Sequence, residues 1–167
     1  SRNVGQLFPA MPYTSYRYMT DEDVKALYDY LMKEVEPVSN KVPETDLGFP
    51  FVRPAMIFWN GLFAGSGKAP EIDNASDQVK RGQYLVDVLG HCGECHTPRG
   101  RLGGPLATGE GSAAFLSGSQ VDGWLAQALR HGDVPTAAQW PQKDWVQYLK
   151  TGRTEHTAAF GPMVQVV

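Results

Sequence analysis

Cys92 and Cys95 stand with two residues between them, and His96 follows at once. In a helical turn, positions i and i+3 lie on one face, so two such thiols can each add to one vinyl group of a single porphyrin. The adjoining imidazole can then reach the porphyrin iron as proximal ligand. Cys92-Gly93-Glu94-Cys95-His96 therefore reads as a covalent attachment site for haem c, one in this chain. Three other chemistries use the same residue types. A structural zinc site needs four ligands, for which only His91, His131 and His156 remain as strong donors, with no second Cys pair. A thioredoxin-like dithiol expects a βαβ setting that is missing here. A disulfide across two intervening residues would staple almost nothing.

Electron transfer favours an iron whose sixth position is filled, and Met163 is the only Met after the attachment motif. It sits in Phe160-Gly161-Pro162-Met163, where Gly and Pro can fix a tight extended loop that presents the thioether across the haem. A thioether favours the reduced iron and raises the potential relative to a second His. Against this stand a Met that fills a core gap, and His131 or His156 as sixth ligand. Met11, in Phe8-Pro9-Ala10-Met11-Pro12-Tyr13, is the same kind of Pro-flanked Met with no Cys pair before it, so its haem would belong to an upstream segment. Met19, Met32 and Met56 read as packing residues. The carbonyl of Pro98 or Pro105 is a candidate acceptor for the His96 Nδ1 proton. Arg99 or Arg101 could pair with a haem propionate, and Trp124 could donate its indole N–H to one, although each also reads as an ordinary surface or packing residue. The sequence holds no Gly-Lys-Ser/Thr phosphate loop, no Gly-x-Ser-x-Gly and no His-Glu-x-x-His. The alternative function is a haem-based catalytic or gas-sensing domain with an open sixth position.

These residues need elements to hold them. Thr20-Asp21-Glu22-Asp23 is a capping-box-like helix start, followed by an apolar stripe at Val24, Leu27, Tyr28, Leu31 and Val35 that Pro37 ends. Ser76 can cap a second helix, with Val79, Leu85, Val86 and Leu89 inward, that runs directly into His91-Cys92. A third is predicted to start at Pro141, carry Trp145, Tyr148 and Leu149, and end at Gly152. Between residues 97 and 140 the Gly-containing stretches predict wrapping loops, with at most a short helix around Gly123 to Arg130 and no sheet.

Residues 37–75 show no helical period, contain Pro37, Pro43, Pro50, Pro54 and Pro70 with Gly65-Ser66-Gly67, and read as a linker. Inside it, Phe49-Pro50-Phe51-Val52, Met56-Ile57-Phe58-Trp59 and Leu62-Phe63 form an apolar patch. The patch is shorter than the roughly 20 residues that span a bilayer, and reads either as a strap packed on a neighbouring domain or as a surface for a partner or a lipid interface. An echo between the Arg2 to Met11 and Arg153 to Met163 stretches predicts two copies of one unit. The expected organisation is the end of a first domain (1–36), the linker (37–75), and a second domain lacking its last helix (76–167).

The 167 residues, 42% hydrophobic and 20% charged, fit globular protein, and 18 Gly with 12 Pro imply abundant loops and a core that leans on a staple. A net charge of −3 argues against nucleic acid as partner. The chain opens Ser1-Arg2-Asn3 with no readable signal peptide, as expected of a processed or internal piece.

Several segments together resemble the multihaem, usually trihaem, cytochrome c subunits of bacterial membrane-bound dehydrogenases acting on alcohols, sugars, sugar acids or polyols. They are Phe8 to Tyr16, Asp21 to Leu31, Phe49 to Arg53, Arg81 to Val86, Gly90 to Gly100, Tyr148 to Arg153 and Gly161-Pro162-Met163. The resemblance implies an all-α, loop-rich fold of class I-like cytochrome c domains with haem as core. It also implies electron transfer from a flavin- or quinone-cofactor catalytic subunit to membrane ubiquinone, at the periplasmic face of the bacterial inner membrane. Cys92, Cys95, His96 and Met163 would serve the middle haem and Met11 the first. The first Cys pair, the third haem domain and the membrane anchor of such subunits are not found in this chain, so more haems and the membrane association are expected in a full-length protein. Leu125 to Ala138 is less family-like.

Overall fold

The computed structural model describes residues 7–8, 11–41, 43, 53–64, 69, 72–108, 111–130 and 137–167. It is mostly helical with one small two-stranded sheet, and divides into two compact units, residues 1–91 and 92–167.

In the first unit, α1 (Tyr13–Tyr16) precedes α2 (Asp21–Lys33). As predicted, Thr20 caps α2, its hydroxyl accepting from the Asp23 amide at 3.2 Å, with acids in the first turn where the helix dipole favours them. The helix ends at Lys33, short of Val35 and Pro37, and Glu34 closes it by donating to the Tyr30 carbonyl. The stripe forms as expected, but Val24, Leu27, Tyr28 and Leu31 lie exposed.

The expected linker holds a helix, α3 (Met56–Phe63), which corrects the aperiodic reading of that stretch. α3 has no side-chain cap and is apolar almost all round, so neither a cap nor an amphipathic period announced it. Met56 (3% exposed) and Trp59 (7%) are buried, whereas Phe58 stands 78% exposed, so the patch is half packed and half open. Tyr13 sets its ring edge-on to Trp59, centroids 6.5 Å apart, and donates its hydroxyl to Asn60 Oδ1 at 2.5 Å. Phe49 to Val52 and Gly65 to Gly67 lie outside the described residues.

Ser76 caps α4 (Asp77–Tyr84) as predicted, accepting from the Val79 amide. The chain then widens into a π-helical turn over Leu85–Leu89, where Gly90 N–H reaches back five residues to the Leu85 carbonyl and Val88 is buried. Tyr84 ties α4 to the start of α2, donating to Asp23 Oδ2 at 2.6 Å and accepting from Thr20 N–H at 3.1 Å. His91, the last residue of this unit, has φ +38 and meets Tyr16 edge-on at 5.5 Å.

The second unit opens with one helical turn, α5 (Gly93–His96). Where at most a short helix was predicted, the chain forms a hairpin, β1 (Ser119–Val121) and β2 (Trp124–Ala126), with Ser119 opposite Ala126 and Val121 opposite Trp124. Asp122 (φ +50) and Gly123 (φ +81) supply the two left-handed residues of a tight hairpin turn. α6 (Gln142–Thr151) follows Pro141, which sits at the cap rather than inside the first turn, and ends on Gly152 in left-handed conformation, its N–H on the Tyr148 carbonyl at 2.8 Å. Trp140 gathers Trp145, Tyr148 and His156 at ring distances of 5.3, 5.2 and 5.9 Å. Met163 lies in a 3-10 turn over Gly161–Gln165. Among the described residues, no helix is long and apolar enough to cross a membrane.

Candidate functional site

α5 exists because its neighbours let one turn close. The amides of Cys95 and His96 reach the Cys92 carbonyl at 3.3 and 2.9 Å, and Thr97 N–H reaches the Gly93 carbonyl at 3.1 Å. The turn sets the Cys92 and Cys95 thiols, both half-buried and neither in a disulfide, on one face. Gly93 packs closely, because a Cβ there would stand 3.2 Å from the ring of buried Phe115, which would have to give by a few tenths of an ångström. Thr97, 0% exposed, accepts the Leu116 amide on its hydroxyl at 3.0 Å and holds that loop against the turn.

His96 Nδ1 lies 2.7 Å from the Gln127 carbonyl, the residue directly after β2. With the Nδ1 proton donated there, Nε2 carries the free lone pair, the tautomer a metal ligand needs. This corrects the expectation of Pro98 or Pro105 as acceptor. The Pro98 carbonyl takes the Leu106 amide at 2.9 Å, and Pro105 is bridged to Arg99. Gln127 reaches His96 because the hairpin folds back along α5, with Gly118 N–H on the His96 carbonyl at 2.8 Å. Without the hairpin in view, sequence reasoning had no route to this partner; Asp122-Gly123 was the signal that could have found it.

Burial pushes His96 below the ordinary histidine range, partly opposed by the Gln127 carbonyl, so the ring is neutral at neutral pH and able to ligate. Burial likewise pushes the Cys95 thiol up, against Arg99 and together with Glu94 and Asp122. Arg99 grips Glu94 through both its carboxylate and its carbonyl, and donates to the Gly103 carbonyl at 2.7 Å.

Met163 is half-buried, and Trp124, 48% exposed, stacks near Phe160 at 5.7 Å. His156 faces Asp144 at 3.8 Å and Trp140. Met11, 62% exposed, belongs to the first unit, as do exposed Met32, buried Met56 and half-buried Met19. His131 lies outside the described residues. Among the described residues, no three His, Cys, Asp or Glu come together to hold a metal ion, so the zinc alternative gains no ligand set from them.

A loop-rich unit of short helices and one hairpin, with two thiols on one turn and a carbonyl-anchored imidazole beside them, has residues that fit a covalently bound haem of the c type. No family model matches the chain. It is 43% identical over 164 residues to the fructose dehydrogenase cytochrome subunit of Gluconobacter japonicus, covering 97% of this chain and 33% of that protein. It is 42% identical over 172 residues to the gluconate 2-dehydrogenase cytochrome c subunit of Pantoea cypripedii, covering 100% of this chain and 39% of that one. The cytochrome c subunit of the quinone alcohol dehydrogenase of Gluconobacter oxydans is 40% identical over 169 residues, covering 96% and 34%. Along nearly its whole length, the chain is thus homologous to cytochrome c subunits of dehydrogenase complexes, which are electron-transfer rather than catalytic subunits. It spans about a third of the length of these curated relatives.

Proposed function

We propose that this chain relays electrons between a dehydrogenase catalytic subunit and membrane ubiquinone through one haem c, which Cys92 and Cys95 would hold covalently and whose iron His96 and Met163 would ligate. The observation that carries the reading is the His96 Nδ1 contact to the Gln127 carbonyl at 2.7 Å, made on the same turn as the Cys92 and Cys95 thiols. When bound, the haem supplies a one-electron iron couple. The protein's part is positional. α5 aligns the thiols, Gln127 fixes the imidazole tautomer, and the Gly161-Pro162 turn carries the Met163 thioether.

The same reading places the haem on the unit 92–167, with residues 76–91 grouped with the first unit instead of with the haem domain expected from residue 76 onward, and makes 1–36 the end of another haem domain in which Met11 ligates a haem attached upstream. Support comes from the repeated Pro-flanked methionines and from the greater length of the relatives. The protein would work at the periplasmic face of the bacterial inner membrane, beside a catalytic subunit with a flavin or quinone cofactor. The test is stopped-flow mixing of the full-length, haem-loaded protein with such a subunit and its substrate, then with a soluble ubiquinone analogue. Reduction in the first step and reoxidation in the second are expected; no reduction would overturn the relay.

A further inference from the structure

The 3-10 turn bearing Met163 is pinned at two places. Upstream, Ala159 N–H donates to the Gly152 carbonyl at 2.7 Å and Arg153 bridges to Ala158, which fastens the loop to the end of α6. Downstream, the turn meets Trp124. Gly161 has φ +57, and a Cβ there would lie 2.7 Å from Trp124 Cδ2 and 2.9 Å from Cγ, so the indole rests directly on the glycine backbone. Phe160, the residue before it, tilts its ring against the same indole at 49°. Gly161 is therefore required twice, by its left-handed backbone and by the ring above it.

Trp124 also opens β2, opposite Val121, and Gln127 directly follows that strand. One hairpin, set by the Asp122-Gly123 turn, thus carries both the carbonyl that orients His96 and the indole that seats the Met163 turn. We propose that Trp124 is a positioning residue for Met163, and that one hairpin positions, as one piece, both residues that would ligate the haem iron. The inference rests on Met163 being the sixth ligand. It differs from an indole N–H bonded to a propionate, because packing needs the ring and not the nitrogen.

The test compares haem-loaded wild type with Trp124→Ala, Trp124→Phe, Gly161→Ala and Met163→Ala. The readouts are the weak near-infrared band of a methionine-ligated ferric haem and the rate at which the reduced protein binds carbon monoxide. Losing an aromatic pair shifts an open-to-closed equilibrium by about three- to tenfold. Trp124→Ala is expected to weaken the band and speed carbon monoxide binding by that factor, with covalent haem content unchanged, and Trp124→Phe to restore most of both. Gly161→Ala, which forces the turn off the indole, reads the same contact should Trp124→Ala fold poorly, and is expected to act in the same direction. Wild-type behaviour in Trp124→Ala or Gly161→Ala would overturn the inference, as would a Trp124→Phe variant as impaired as Trp124→Ala. A Met163→Ala variant with an intact band would remove the ligand reading itself, and the inference with it.

Discussion

The region around α5 and the region around α2 were built by the same local rules and ended differently. Both start from legible signals, a cysteine pair in one case and a Thr20 cap in the other. Around α5, three positions meet partners from elsewhere in the unit. Gly93 meets Phe115, Thr97 meets the Leu116 amide, and His96 meets the Gln127 carbonyl. Around α2, Tyr84 ties the cap to α4, yet the apolar stripe and the Met11 thioether face outward. Capping and periodicity make a helix whether or not its face is covered, whereas a site needs non-local partners that arrive only with the tertiary fold.

The largest effect that would break this contrast falls on the thiols. With both cysteines replaced (Cys92→Ala, Cys95→Ala), covalently held haem is expected to vanish from the acid-denatured, solvent-extracted protein, read by its pyridine haemochrome. Met163→Ala should lower the reduction potential by on the order of 0.1 V in a redox titration, since axial ligands set haem potentials over about 0.8 V. An unchanged potential would strike Met163 from the ligand set. Trp59→Ala tests the packed side of the first unit. Its buried ring should be worth about 3–5 kcal/mol in denaturant unfolding, and a loss under about 1 kcal/mol would mean that α3 is not anchored there. Thr20→Ala should cost about 1 kcal/mol in the same assay, through the lost cap. Met11→Ala, the smallest, should leave the potential of the haem on Cys92 and Cys95 unchanged; a shift would contradict the assignment of Met11 to a different haem.

Local chemistry was legible because it is written in adjacent residues. The Thr20 and Ser76 caps and the Gly152 helix stop stand where their side chains and backbone freedom predict. Elements without a local signature escaped. α3 lacks both cap and amphipathic period. The hairpin strands are three residues each, too short for alternation to register, although Asp122-Gly123 marks their turn. That one omission hid the Gln127 carbonyl and the Trp124 contact with Gly161, because both depend on the strand returning. Burial was read unevenly too: Met56 packs as expected while Met32 does not, a difference set by which face its helix shows to the rest of the unit.

The most direct measurement is the intact mass of the denatured, haem-loaded protein beside that of its Cys92→Ala, Cys95→Ala variant. The account predicts that the two differ by one haem beyond the substitutions themselves. Equal masses after that correction would contradict covalent attachment at α5, and with it the central claim.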